Sequence, residues 1–253
     1  MLRIALIQPD SRGDKEEVLN RAIKLIEEAG KEKAELVCLP EHWIVYYNFN
    51  EILKVLSDAA KRYGISIITG GNYIKNNEIT EVSSFIIDES GQIIGSQKKI
   101  HLFGAEKEVA IPGEEYNVFD FKGTKIAISI CHDLVFPETI RILVLKGAEL
   151  IFAPARIRYK GFEPWKLYVL TRALENRVHI ATVNTLLPPN FLGNSFVVDF
   201  KIEEDVVIPY MYKETGGEEG FVIADIDPKK VEKFRKERLA ARRVSTYSLI
   251  LTK

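Results

Sequence analysis

The chain has 253 residues, 28% of them charged, and a formal net charge of −1. That length can bury a sizeable core, as one large domain or two small ones. A balance so near neutrality excludes bulk electrostatic binding to nucleic acid or to an anionic membrane surface. The two cysteines, Cys38 and Cys131, form no CxxC pair, which argues against a disulfide scaffold and fits a reducing, cytoplasmic setting. The opening MLRIALIQPD has too short an apolar run for a signal peptide, and no stretch reaches the length of a membrane span. Three glutamines among abundant Lys and Glu lean toward a thermophilic composition.

Arg3–Gln8 reads as an opening strand that ends at Pro9. Asp14 and Glu17 have capping-box spacing, and Val18, Ala22, Ile26 and Ala29 then follow one helical face to about Lys33. Leu36–Leu39 is a short buried strand cut by Pro40, which leaves Glu41 just past its end. Asn48 with Glu51 opens a second helix to about Tyr63, and Gly64 is its stop signal. Ile65–Thr69 is the next strand, ended by Gly70-Gly71.

The middle of the chain changes character. Val82–Ile87 and Gln92–Gln97 pair as a hairpin across Glu89-Ser90-Gly91, and Lys98–Phe103 follows. Tyr116–Phe121 and Lys125–Ile130 form a second hairpin, whose last strand runs into Cys131. Pro137, with Ile140, Leu143 and Val144 at helical spacing and Gly147 beyond, marks a helix. Leu150–Ala153 is a strand expected to stop at Pro154, and Glu163–Asn176 is a helix. His179–Asn184, Ser195–Val198, Val206–Tyr210 and Gly220–Ile226 read as strands. Asp227-Pro228 opens a last helix to about Leu239, and Val244–Leu251 trails as an extended tail. With no internal repeat or linker, residues 1–253 are expected to form one domain with a tail at about 244–253. Helices alternating with strands at first, and hairpins in the middle, imply an α/β protein with mixed sheets covered by helices.

Three reactive side chains sit at strand ends, where side chains leave a packed interior on a rigid backbone: Glu41, Lys99 and Cys131. Each has an ordinary reading too. Glu41 is also a charge near a helix start, Lys99 one of a solvated pair with Lys98, and Cys131 a small core residue. A cysteine at a strand-to-helix turn lies near backbone N–H groups and a helix's positive end, which favour a thiolate. His101, His132 and Cys131 lack the spacing of a metal site. A Cys131–His132 dyad is disfavoured because adjacent residues leaving a strand point apart. His42 and His179 have no nameable partner. Cys38 reads as core, and Trp43, Tyr46 and Tyr47 as either pocket wall or packing.

Taken together, LPE at Leu39–Glu41, KKIHLF at Lys98–Phe103 and ICHDLVFPE at Ile130–Glu138 resemble, in order and spacing, the signature segments of the nitrilase superfamily, the carbon–nitrogen hydrolases. Glu106 before Pro112-Gly113, APA at Ala153–Ala155, RALEN at Arg172–Asn176 and GNS at Gly193–Ser195 extend the resemblance from Arg3 to about Tyr247. It implies a four-layer αββα sandwich paired into a homodimer or a higher assembly. The tail would reach onto the partner. It also implies roles. Cys131 would be the nucleophile, Glu41 the general acid–base, Lys99 and the His132 backbone N–H the oxyanion donors, and Glu106 the orienting glutamate. The chain departs from the family pattern at Gln97, His132 and Val135, which bears on the subgroup and hence the substrate. The resemblance implies a hydrolase of a small non-peptide amide or N-carbamoyl compound, releasing ammonia, with no cofactor and no metal. Nitrile hydrolysis, acyl transfer to an amine, and a non-catalytic binding protein are the alternatives. Arg156 and Arg158, in the loop after Ala155, are candidates to hold a substrate carboxylate, or are plain solvated charges.

Overall fold

The computed structural model describes residues 1–44, 48–76 and 78–251, with only the backbone described for Asn76, Leu249 and Leu251. The first part alternates strand and helix: β1 (Leu2–Gln8), α1 (Lys15–Lys31), β2 (Leu36–Cys38), α2 (Phe49–Tyr63) and β3 (Ser66–Ile68). A meander follows, β4 (Asn72–Asn76), β5 (Ile79–Ile87) and β6 (Ile93–Lys98), then a single turn of helix, α3 (Glu106–Val109). Next come the hairpin β7 (Val118–Phe121) and β8 (Thr124–Ile128), a 3₁₀ turn over Cys131–Val135, α4 (Pro137–Leu145) and β9 (Leu150–Ala155). After α5 (Phe162–Asn176) and β10 (His179–Asn184) comes a small ribbon, β11 (Leu186–Leu187) with β12 (Phe191–Leu192). The chain closes with β13 (Phe196–Glu203), β14 (Val206–Glu214), β15 (Gly220–Ile226) and α6 (Glu232–Ala240).

The strands assemble into two mixed sheets. One has the order β15-β1-β2-β3-β5-β4, with β6 on the other side of β5; the second has the order β14-β13-β10-β9-β8-β7. β1, β2 and β3 run parallel, as do β8, β9 and β10, and antiparallel strands flank both groups. Alternation along β1 and β2 explains the layers, because successive side chains point to opposite faces. Ala5, Ile7 and Val37 join Val18, Ala22 and Ile26 of α1 and Leu56 of α2 in one core. Leu2, Ile4, Leu6, Leu36 and Cys38 face the other way and pack with the second sheet, whose core continues to α4 and α5. The result is the expected αββα sandwich. Parallel strands covered on both faces are apolar throughout, as Ile4–Ile7 and Leu150–Ala153 are.

The helix signals hold at residue level. Asp14 and Glu17 form a reciprocal capping box, and Gly64 ends α2 in the left-handed region at φ 62°. Three expectations need correction. β9 does not stop at Pro154 but runs through it to Ala155, paired with β10. The Phe152 carbonyl accepts from Ser129 N–H. Pro154, two residues on, therefore turns its imide nitrogen to that same side, where β8 has ended and no donor is needed. The last helix starts at Glu232 rather than at Pro228, because Asp227 closes a turn of its own onto Lys229 and Lys230. The tail is not extended. Val244–Thr246 and Ser248–Leu251 are 3₁₀ turns, closed by bonds such as Tyr247 N–H to the Val244 carbonyl. Tyr247 and Ile250 line a cleft with Pro137 and Arg141 of the same chain. Tyr46 and Tyr47 lie outside the described residues.

Candidate active site

Glu41, Lys99 and Cys131 arrive in one cavity of about 840 Å³ from three separate strand ends. Glu41 follows β2 through Pro40, and its turn nests on Gly70-Gly71 at the end of β3. A Cβ on Gly70 would collide with the Pro40 carbonyl, and one on Gly71 with Ile130, so only glycine lets the two strand ends approach so closely. His42 N–H donates to the Gly71 carbonyl at 2.8 Å, and Thr185 Oγ1 donates to the Glu41 carbonyl. Glu41 thus stands on a backbone tied at its own carbonyl and at the next residue.

Lys99 leaves β6 with only 1% of its surface exposed, and Glu41 with 3%. Lys99 Nζ donates to Glu41 Oε1 at 2.8 Å and reaches Glu106 Oε1 and Oε2 at 2.8 and 2.7 Å. Burial by itself lowers its pKa. The facing Glu41 and Glu106 carboxylates outweigh that and hold the ammonium charged well above the usual lysine range. Glu106 also accepts from the Phe103 backbone N–H at 2.8 Å and from His42 Nε2 at 3.0 Å. Burial pushes its carboxyl up, but the His42 bond, the Lys99 charge and the Phe103 N–H bring it down to about 2. A buried ammonium left without such partners would be strongly destabilising. Lys98, by contrast, turns outward at the surface and pairs with Glu81.

Cys131 begins the 3₁₀ turn after β8, at φ 45° and 9% exposed. Its sulfur shares the cavity with the Glu41 carboxylate, the Lys99 ammonium and Arg156. The expected thiolate is corrected here. Burial, then the Glu41 charge, raise the thiol well above its ordinary range, and Lys99 and the Arg156 N–H offset only part of this. At rest the pair is a neutral thiol beside a carboxylate. The His132 N–H belongs to the first turn of this short helix, where backbone donors lack helical partners. Its side chain lines the cavity and packs on Phe103 and Phe136. Burial and the Lys99 charge lower its pKa.

Arg156 and Arg158 both line the cavity, on the loop after β9. The Arg156 guanidinium lies 4.6 Å over the Phe191 ring, and its Nε is buried without a hydrogen-bond partner. Arg158 is exposed. Other residues were not legible as site residues. His42 stacks on Tyr73, with ring centroids 4.7 Å apart. Asp133 accepts from the backbone N–H groups of Ile100 and His101 and from His101 Nδ1, so it ties the cysteine turn to the Lys99 segment. Arg172 donates to the Leu134 and Val135 carbonyls at 3.1 and 2.6 Å, holding the same turn from α5. Trp43 is fully buried and donates to the Thr69 carbonyl, so it is packing. His179 pairs with Asp199 in the core, and Cys38 is core. Among the described residues, Glu41, His42 and Glu106 present metal-ligand atoms within 4.8 Å of one another. The Lys99 ammonium stands between the two carboxylates and already bonds both, so the donor set does not fit a metal ion.

A model of the carbon–nitrogen hydrolase family matches residues 3–236. The chain is 32% identical over 243 residues to the 2-oxoglutaramate amidase of Bacillus subtilis, covering 88% of this chain and 90% of that protein. It is 29% identical over 270 residues to an omega-amidase of Xenopus tropicalis, covering 98% and 96%. The crystal structure of a carbon–nitrogen hydrolase from Helicobacter pylori superposes with a TM-score of 0.87 at 22% identity, covering 100% of this chain and 98% of that one. A glutamate-to-glutamine mutant of an amidase from Nesterenkonia, carrying the acetamide moiety of fluoroacetamide on its active-site cysteine, superposes with a TM-score of 0.84 at 24% identity, covering 98% and 95%. With this sequence similarity, this sandwich and this pocket, the chain belongs to the carbon–nitrogen hydrolase family.

Proposed function

We propose that this protein hydrolyses the carbon–nitrogen bond of a small amide through a thioester on Cys131. The observation that supports it most is one pocket that gathers a buried thiol with a carboxylate that bonds a buried ammonium. The sulfur attacks the amide carbon as Glu41 takes the thiol proton, and the carbonyl electron pair moves to oxygen. Lys99 and the His132 N–H stabilise that oxyanion. On collapse the carbon–nitrogen bond breaks, and Glu41 hands its proton to the leaving ammonia or amine. Water then gives a proton to Glu41 and attacks the thioester. The acid leaves, and the departing sulfur recovers the proton. Glu106 orients Lys99 and the incoming amide.

For the substrate, the orphaned Nε of Arg156 supports a carboxylate on the acyl part, as in an ω-amide or N-carbamoyl amino acid, because a guanidinium fork matches a carboxylate's geometry. The names of the Bacillus and Xenopus relatives agree with that class. Arg158, being exposed, would act at the rim. Ammonia release from an acidic ω-amide and from its methyl ester tests this. Arg156→Ala should raise KM for the acid at least about tenfold and leave the ester nearly unchanged. Equal losses on both would point to a neutral amide.

We also infer that residues 1–253 work as one domain and that the chain pairs through the face of α4 and α5. Leu167 is 63% exposed on α5, and Leu174 of α5 and Leu145 of α4 are exposed too, apolar surface of the kind that a two-fold interface covers. Two free, buried cysteines fit the cytoplasm. Among the described residues no helix is long and apolar enough to cross a membrane.

A further inference from the structure

His42 follows the proposed general base directly, yet no step above uses it. It is 9% exposed and sits at φ 45°, a backbone region that a side chain larger than glycine enters only when its surroundings hold it there. Two contacts do so. The ring stacks on Tyr73 from β4, with planes 23° apart, and Nε2 lies 3.0 Å from Glu106 Oε1. Glu106 is ionised and can only accept, so Nε2 carries the proton and donates.

Glu106 then receives hydrogen bonds from Lys99, Phe103 and His42 on two oxygens. Phe103 and Lys99 belong to one stretch of chain. His42 is the donor from the other side of the cavity, on the same turn as Glu41. Without it, Oε2 stays on the Phe103 N–H while Oε1 keeps only the Lys99 ammonium, so the carboxylate can turn about the Phe103 bond. Lys99 Nζ, shared between Glu106 and Glu41, would follow it. A shift of that ammonium changes two things at once: the oxyanion donor, and the Glu41 oxygen that it bonds.

We propose that His42 is a positioning residue, whose Nε2–H locks Glu106 and through it sets the place of the Lys99 ammonium between the two carboxylates. This rests on the reading of Cys131 as nucleophile. The charged groups around the ring are Glu106, Lys99, Glu41 and, across the cavity, Arg156.

The test uses side chains that differ in reach. A glutamine amide can place an N–H where Nε2 stands, and an asparagine falls one carbon short. Two readouts are needed: kcat and KM on an accepted amide, and the rate at which fluoroacetamide alkylates Cys131, which needs no turnover. His42→Asn should lower kcat and the alkylation rate by about tenfold or more, the worth of one hydrogen bond to a charged group, with KM changed little. His42→Gln should retain both to within about threefold. In a Glu106→Gln background the difference between the two substitutions should vanish, since the acceptor is altered. Thermal unfolding checks that each variant folds. If His42→Asn does not, His42→Phe, which keeps a ring on Tyr73, takes its place. The proposal is overturned if Gln and Asn behave alike, or if their difference survives in Glu106→Gln. Alkylation by fluoroacetamide that persists unchanged in Cys131→Ala would instead remove the nucleophile reading.

Discussion

At the residue scale, the site is a balance of charges that no single position explains. Lys99 stays protonated because two carboxylates surround it, and Glu106 stays ionised because Lys99, His42 and Phe103 all donate to it. This has a consequence for stability. The folded-state pKa of Glu106, about 2, lies below the ordinary glutamate value of about 4.3. Its contribution is therefore complete above the unfolded-state pKa and is lost as pH falls toward the folded one. The gap in unfolding midpoint between the parent and Glu106→Gln should be widest near neutrality and should narrow between about pH 4.5 and 2. A gap that stays constant down that range would contradict the ion pairing. That Glu41, Lys99, Glu106 and Cys131 belong together was legible only through the family resemblance of their segments, since each alone had an ordinary reading; the structure brings all four to one cavity. His42, Tyr73, Phe191 and the Arg156 N–H were not. His42 meets a carboxylate 64 residues away, and no local pattern marks such a meeting. The state of Cys131 was misjudged for a related reason: burial and Glu41 come from outside its turn, and they outweigh the donors within it.

At the scale of elements, the cysteine turn is short and depends on its neighbours. Cys131–Val135 is a 3₁₀ turn, with weaker hydrogen-bond geometry than an α-helix. Asp133 ties it to Ile100 and His101 on one side. Arg172 of α5 caps the Leu134 and Val135 carbonyls on the other. Removing that guanidinium leaves two acceptors in or near the core unsatisfied. Arg172→Met, which keeps most of the apolar stem, should cost about 2–4 kcal/mol of stability. It should also lower kcat more than it raises KM, because the turn carries both the sulfur and the His132 N–H. A variant that is less stable but has full kcat would show that the turn keeps its shape without Arg172. Most element types were readable from pattern, since Asp14, Gly64 and Pro137 signal ends by local chemistry. The errors came where tertiary pairing overrode such a signal, as at Pro154. β4 was missed because Asn72–Asn76 gains its ladder from β5 rather than from its own composition.

At the scale of the whole molecule, two sheets press their apolar faces together, and the strand ends of both meet at the cavity. Glu41 and Lys99 come from the first sheet, Cys131 and Arg156 from the second, so the site exists only when the sandwich is closed. Strands apolar on both faces made sheets covered by helices legible, and the family resemblance implied the four-layer order; the pairing order was not legible, because register depends on contacts far apart in sequence. The exposed apolar side chains of α4 and α5 imply a homodimer, or a multiple of one, by light scattering at micromolar concentration; a monomer there would remove that face as an interface. The central claim, a covalent acyl group on Cys131, is tested most directly by intact-mass spectrometry of protein mixed with an accepted amide and rapidly quenched in acid. The parent should gain the mass of the substrate less its ammonia or amine, and Cys131→Ala should gain nothing. The same adduct on Cys131→Ala, or turnover by that variant, would contradict the account.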